Sequence, residues 1–117
     1  MIAARNYHAG LAAESSVLRQ YLDTGYELLA QRFRGLRGEI DLVLRKGAAV
    51  IFVEVKKSRS FDAALARISE AQIARILATG AEYLDRLPGG QLTETRFDVA
   101  LVDAHGQVSV MENALAA

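Results

Sequence analysis

Two runs of strand-forming residues near the middle of the chain constrain its fold most strongly. Residues 40–45 and 50–56 are rich in Val, Ile, Leu and Phe, and only four residues, Lys46-Gly47-Ala48-Ala49, separate them. Two such runs with a short glycine-containing connection are typical of an antiparallel hairpin. We therefore expect a hairpin whose turn is centred between Gly47 and Ala48.

This hairpin would place four charged side chains on one face of the sheet. Asp41 would face Glu54 and Glu39 would face Lys56, because alternate residues of a strand point to the same side. Opposed residues have β-carbons about 5 Å apart, and like charges at that separation are destabilising. The two carboxylates therefore predict either a protonated carboxyl group or a bound cation, of which a divalent metal with oxygen ligands is the more economical. Lys56 would lie about 7 Å beyond Glu54 along the strand, within reach of a water or a phosphate at that metal.

A solvated sheet face with two ion pairs is the alternative interpretation. It is weakened by the other residues of the two runs, which are apolar on both faces and so predict a sheet that is covered on both sides. Charges in such strands are costly unless they are paired or ligated. The apolar residues are Val43, Val50 and Phe52 on one face and Ile40, Leu42, Leu44, Ile51, Val53 and Val55 on the other.

The family resemblance of the sequence rests mainly on two segments, 38–42 (Gly-Glu-Ile-Asp-Leu) and 52–56 (Phe-Val-Glu-Val-Lys). With Ala-Glu at 13–14, Gly-Tyr at 25–26, Ala-Glu-Tyr-Leu at 81–84 and Arg-Phe-Asp-Val at 96–99, the chain resembles the YraN-like uncharacterised family. That family's fold belongs to the PD-(D/E)XK nuclease superfamily. The resemblance implies that Asp41 and Glu54 bind Mg²⁺ or Mn²⁺, and that Lys56 helps to activate water for phosphodiester hydrolysis. The carbonyl of Val55 is a further expected ligand, and Glu39 is expected to balance Lys56.

Glu14 is a fourth candidate ligand. Apolar residues recur with helical spacing from about residue 8 to residue 24, and Glu14 falls near the middle of their stripe. The resemblance suggests a role beside the metal, since superfamily members often place a helix-borne Glu there. A surface acid near the helix N-terminus and a buried partner of an Arg are the alternatives. The stripe comprises Leu11, Val17, Leu18, Tyr21 and Leu22.

Three positions depart from the family pattern. Ser58 stands where an Arg is usual, Gln72 where a Lys is common, and Arg32 where an Asn is common. These departures spare Asp41 and Glu54, but they concern residues expected to contact substrate.

The distribution of charge favours a nucleic-acid partner, either DNA or RNA. The whole chain has no net charge, yet residues 32–67 contain nine basic and four acidic residues. Positive charge therefore surrounds the predicted metal site, as a phosphate backbone would require. Arg37, Lys57 and Arg59 border the charged face and are the predicted phosphate contacts.

Composition excludes several other kinds of site. Without cysteine, the chain has no disulfide, thiolate metal site or thiol nucleophile. Arg5, Asn6 and His8 interrupt the N-terminal segment, and no long apolar run follows. We therefore expect neither a signal peptide nor a membrane span, and a cytoplasmic location.

The remaining segments complete an α/β fold of the restriction-endonuclease-like sandwich class. Strands are predicted at 26–33, 95–102 and 108–111, and residues 60–68 are predicted to form a loop with a short turn, for which Asp62 is the candidate cap. A capping box at Ser69 to Gln72 opens a helix that runs to about Leu87 and directs Arg75 and Arg86 to solvent. Asp98 is assigned a structural role. The order α-β-β-β-α-β-β predicts one domain over 1–117, a mixed central sheet flanked by helices.

Three functions agree with these patterns. The first is a divalent-metal-dependent nuclease acting on DNA or RNA. The second is a nucleic-acid-binding module that keeps the fold with weak or no catalysis, and the third is a protein-interaction domain whose charged face is a salt-bridge network.

Overall fold

In the computed structural model, the central β-forming runs build the hairpin at the heart of a five-stranded sheet. The backbone is described for residues 2–115 and the side chains for residues 10–115, so the side chains of Arg5, Asn6 and His8 lie outside the description. The elements are α1 (Ile2–Asp23), β1 (Glu27–Arg34), β2 (Glu39–Lys46), β3 (Ala49–Lys57), α2 (Phe61–Leu65), α3 (Glu70–Leu84), a 3₁₀ helix (Gly90–Leu92), β4 (Thr95–Val102) and β5 (Val108–Met111).

The sheet is mixed, as predicted, with the strand order β1-β2-β3-β4-β5. Only β3 and β4 run parallel, and the other neighbours are antiparallel. The α2–α3 segment connects the two parallel strands, because such strands need a long crossover. The predicted hairpin register is confirmed, since Val43 pairs with Phe52 and Leu44 pairs with Ile51.

Helices cover both faces of the sheet, which confirms the expected α/β sandwich. Val17 and Tyr21 of α1 pack with Leu42, Leu44 and Val53 on one face. On the other face, residues of α2 and α3 pack against alternate positions of the same strands, which include Val43, Val50, Phe52 and Val99.

Ile40 lies on a different face from the predicted one. Alternation grouped it with Leu42, but it packs in the cluster that contains Phe33 and Val43. Ile40 lies beyond the last β2–β3 pair, which is Leu42 with Val53. Its partner there is Phe33 of β1, and it packs on the same face as Phe33.

Two further corrections concern α1 and α2. Leu22 is 45% exposed, because it lies about 100° around the helix from the buried Tyr21. Residues 61–65, predicted as part of a loop, form the short helix α2. Ser60 rather than Asp62 caps it, since the Ser60 hydroxyl accepts a hydrogen bond from the Ala63 N–H at 3.1 Å.

The predicted start of α3 is confirmed: Ser69 caps it, and the Ser69 hydroxyl accepts from the Gln72 N–H at 3.1 Å. The helix ends at Leu84 rather than Leu87. Gly80 lets α3 lie close to the sheet, since a β-carbon there would come within 2.8 Å of the Phe97 ring. Among the described residues, none of the helices is both long and apolar enough to cross a bilayer.

Candidate active-site cleft

The candidate site begins where β2 and β3 separate. Their backbone pairs run from Lys46–Ala49 to Leu42–Val53. Beyond that point the Val55 N–H donates to Oδ2 of Asp41 at 2.7 Å. The N–H and C=O of one strand residue point to the same side, so the Val55 carbonyl also faces the β2 side. This places the carbonyl on the side expected of a metal ligand.

Glu54 follows Val53, just beyond the last β2–β3 pair, and its carboxyl group is close to that of Asp41. It is only 6% exposed. Burial raises the pKa of its carboxyl group well above the usual range, and the neighbouring Asp41 carboxylate raises it further. Lys56 acts in the opposite direction, with its Nζ 3.8 Å from Oε1 of Glu54. The structure therefore brings the two carboxyl groups together, as expected, with one cation beside them.

These side chains line a cleft of about 300 Å³. One wall is formed by the separating ends of β2 and β3, and the other by the first half of α3. The cleft brings together four of the predicted site residues. Its lining consists of Gly38, Glu39, Asp41, Glu54, Lys56, Gln72, Arg75 and Ile76.

The predicted pairing of Glu39 with Lys56 is wrong. Glu39 instead accepts a hydrogen bond from Nη2 of Arg34 at 3.1 Å. Arg34 is its partner in the β1–β2 ladder, whereas Lys56 lies beyond the last β2–β3 pair and is near Glu54. Glu39 still lines the cleft, but its charge is balanced by Arg34 of β1.

Glu14 is the buried partner of an arginine. Its Oε1 and Oε2 accept from Nε and Nη2 of Arg32, at 3.2 and 2.9 Å. Arg32 has a φ of 51° within β1, an uncommon conformation for a residue other than glycine. Burial raises the pKa of Glu14, Arg32 lowers it, and the charge of Asp41 raises it.

Glu14 is not part of the cleft lining. Within residues 10–115, no three His, Cys, Asp or Glu side chains are grouped so that they could hold a metal ion. The carboxylates at the cleft are those of β2 and β3, and the predicted metal role of Glu14 stays a prediction.

The three predicted phosphate contacts lie outside the cleft lining. Arg37 is exposed in the loop between β1 and β2, and Arg59 is exposed after β3. Lys57 is half-buried at the end of β3, and its carbonyl accepts from Arg67. Their role in binding nucleic acid stays a prediction.

Arg75 is exposed, as predicted, but it also lines the cleft, which the sequence analysis did not predict. Arg75 lines it because Gly38 lets α3 approach: a β-carbon at Gly38 would be 3.4 Å from that of Arg75. Gln72, already noted as a departure from the family pattern, lies one helical turn before Arg75 and lines the same cleft. The three-residue spacing of Gln72 and Arg75 places both on one face of the helix, and it could have predicted that Arg75 lines the cleft. Arg86 is exposed, as predicted, and its guanidinium lies over the Phe33 ring at 4.7 Å.

Asp98 has the predicted structural role. It is fully buried and accepts hydrogen bonds from Nε and Nη2 of Arg96, the hydroxyl of Tyr21 and the N–H of Asn113, all within 2.9 Å. These contacts tie β4 to α1 and to the segment after β5.

Comparison with known proteins gives a consistent assignment. UPF0102 proteins of Roseobacter denitrificans, Cereibacter sphaeroides and Ruegeria pomeroyi are 62%, 56% and 53% identical to this chain. The alignments cover 93%, 96% and 94% of this chain and 84%, 96% and 89% of the relatives. The model of the uncharacterised protein family UPF0102 matches residues 13–102, from α1 to the end of β4. Since this match includes both walls of the cleft, the chain, cleft included, belongs to the UPF0102 family.

Proposed function

We propose that the cleft is the active site of a divalent-metal-dependent nuclease that hydrolyses phosphodiester bonds of DNA or RNA. The main support is the pair Asp41 and Glu54, two carboxylates that meet in a largely buried position at the point where two strands separate. Such a pair is costly without a cation. Lys56 beside it adds the positive group that phosphate chemistry requires.

The donor set suits Mg²⁺ or Mn²⁺. Both ions prefer oxygen ligands, and Mg²⁺ is usually held by one or two carboxylates together with waters and substrate phosphates. Asp41, Glu54 and the Val55 carbonyl would provide the protein oxygens. When bound, the ion would polarise the phosphate and acidify the attacking water.

The remaining roles follow from the contacts of each side chain. Asp41 is held in orientation by the Val55 N–H, which fixes one of its carboxylate oxygens. Glu54 would hold the ion in its deprotonated form, since metal ligands bind deprotonated. Lys56, freed from Glu54, would then orient the attacking water or neutralise charge on the phosphate.

A nucleic-acid-binding module with weak or no catalysis is the second candidate. Two observations favour it. Gln72 lines the cleft where the family resemblance implies a Lys, and Lys56 already has a partner in Glu54. A protein-interaction domain would use the same charged face without nucleic acid.

One experiment separates these candidates. The protein would be incubated with single-stranded, duplex and branched DNA and with RNA, each with Mg²⁺, with Mn²⁺ or with a chelator. Asp41→Asn and Lys56→Ala would be compared with Asp62→Asn, an exposed position on α2. Metal-dependent cleavage that is lost only in the first two variants supports the nuclease. Binding without cleavage supports the module, and no binding to any form rejects both.

A further inference from the structure

We propose that Arg75 is the substrate-positioning residue of the cleft and binds the backbone phosphate that enters between α3 and the β2–β3 strands. The inference rests on the proposed function and deepens it, because it assigns the phosphate group of the substrate to a particular cation. It concerns a residue that lies outside the predicted nucleic-acid contacts Arg37, Lys57 and Arg59.

The first argument is position. Arg75 lines the cleft from α3, while Asp41, Glu54 and Lys56 line it from the strands. Its backbone is fixed by the close approach of α3 to Gly38, where a β-carbon would be only 3.4 Å from that of Arg75 and 3.3 Å from Oγ1 of Thr79. A phosphate between the walls would therefore have carboxylates and Lys56 on one side and a guanidinium on the other.

The second argument is the distribution of partners among the cleft charges. Glu39 is paired with Arg34, and Lys56 is within 3.8 Å of Glu54. Among residues 10–115, Arg75 forms no ion pair with a carboxylate. It is also exposed, whereas the side chain of Lys56 is only 17% exposed. A phosphate approaching from solvent would thus meet an accessible cation at Arg75.

The third argument is chemical. A guanidinium is planar and always charged, and it donates two parallel hydrogen bonds to phosphate oxygens. A contact of this kind fixes the position of the phosphate without reading the base sequence. Arg75 would therefore set where the phosphodiester lies relative to Asp41 and Glu54.

Binding titrations test this assignment. Wild type, Arg75→Ala and Arg75→Lys would be titrated with fluorescent DNA and RNA in chelator over a range of salt concentrations. Arg19→Ala is the matched control, since Arg19 is exposed on α1 and lines a different cavity with Gly106 and Val108. Melting curves of each variant verify that the fold is retained.

We expect Arg75→Ala to weaken binding roughly fivefold or more and to lower the salt slope by about 1, as removal of one phosphate contact does. Arg75→Lys should recover part of the affinity, because it keeps the charge but not the fork. Arg19→Ala should change affinity less than about twofold. Equal behaviour of Arg75→Ala and Arg19→Ala would overturn the assignment while leaving the proposed function intact. Failure of wild type to bind any nucleic acid would reject the proposed function itself.

A double-mutant cycle then locates the phosphate. Without metal, Asp41→Asn should strengthen binding, because it removes a negative charge beside the phosphate. If Arg75 holds the same phosphate, this gain should shrink in the Arg75→Ala background, because residues that share a partner are not additive. Additive effects would show that Arg75 contacts a phosphate outside the cleft and would refute the proposed position.

Discussion

Glu14→Gln is the substitution that best distinguishes a structural role of Glu14, as the ion-pair partner of Arg32, from a role in metal binding. Removing one partner of a buried ion pair costs about 3–5 kcal/mol, whereas exposed pairs contribute about 0–1 kcal/mol. The side chain of Glu14 is 11% exposed, but that of Arg32 is 36% exposed, so the stranded guanidinium can regain part of its hydration. We therefore expect a loss of about 2 kcal/mol, which is about 8 °C in melting temperature for a domain of this size.

The assay is a set of chemical and thermal unfolding curves for wild type, Glu14→Gln and Glu94→Gln, each with chelator and with Mn²⁺. Glu94 is exposed before β4 and provides the matched control, which should change stability by less than about 0.5 kcal/mol. If Glu14 acts through Arg32, the loss is equal with and without Mn²⁺. A loss no larger than that of the control would refute the reasoning from burial. A loss of stability that appears only with Mn²⁺ would instead support the predicted role of Glu14 as a metal ligand.

Three further changes probe the core and the site. Asp98→Asn should cost about 3 kcal/mol or more by urea unfolding, because it removes the buried carboxylate of the Arg96 guanidinium and leaves only the exposed Glu112 at 3.7 Å; a loss under 1 kcal/mol would contradict this. Gly80→Ala should lower stability by about 1 kcal/mol despite better helix propensity, since its methyl group would overlap the Phe97 ring, and an increase in melting temperature would refute the packing argument. For Glu54, the raised pKa means that the folded state holds a proton that the unfolded state releases. Metal-free stability should therefore fall by up to about 1.4 kcal/mol per pH unit between about pH 5 and about pH 9, where the folded-state pKa of Glu54 lies, and Glu54→Gln should remove that slope.

Much of the fold follows from local sequence patterns. The hairpin register was predictable because the short connection from Lys46 to Ala49 fixes which residues of β2 and β3 are opposed. The start of α3 was predictable because the Ser69 hydroxyl satisfies a backbone N–H that the helix leaves free. Where alternation no longer applies, as at Ile40, the prediction was wrong.

The positions of the carboxylates in the candidate site were predictable from the sequence, whereas the positions of its cations were not. Asp41 and Glu54 are fixed by the register of one hairpin, which is local information. The ion-pair partner of Glu39 lies on the neighbouring strand β1, so Glu39 pairs with Arg34 and not with the predicted Lys56. Arg75 was missed because its placement depends on how closely α3 approaches Gly38, a tertiary contact without a periodic pattern.

The hydrogen bond between Val55 and Asp41 explains how a sheet can open without losing stability at this point. Two separating strands leave backbone groups without partners, and an unpaired buried N–H costs about 1–3 kcal/mol. The Asp41 carboxylate accepts the Val55 N–H in place of a backbone carbonyl, so the cleft forms with that donor satisfied. Asp41 is therefore part of the fold as well as of the candidate site. A neutral residue with an acceptor oxygen, such as Asn, can keep this contact, whereas Ala removes the acceptor and the carboxylate together. Loss of activity in an Ala variant would confound chemistry with structure, so the function of the cleft is decided by the isosteric change.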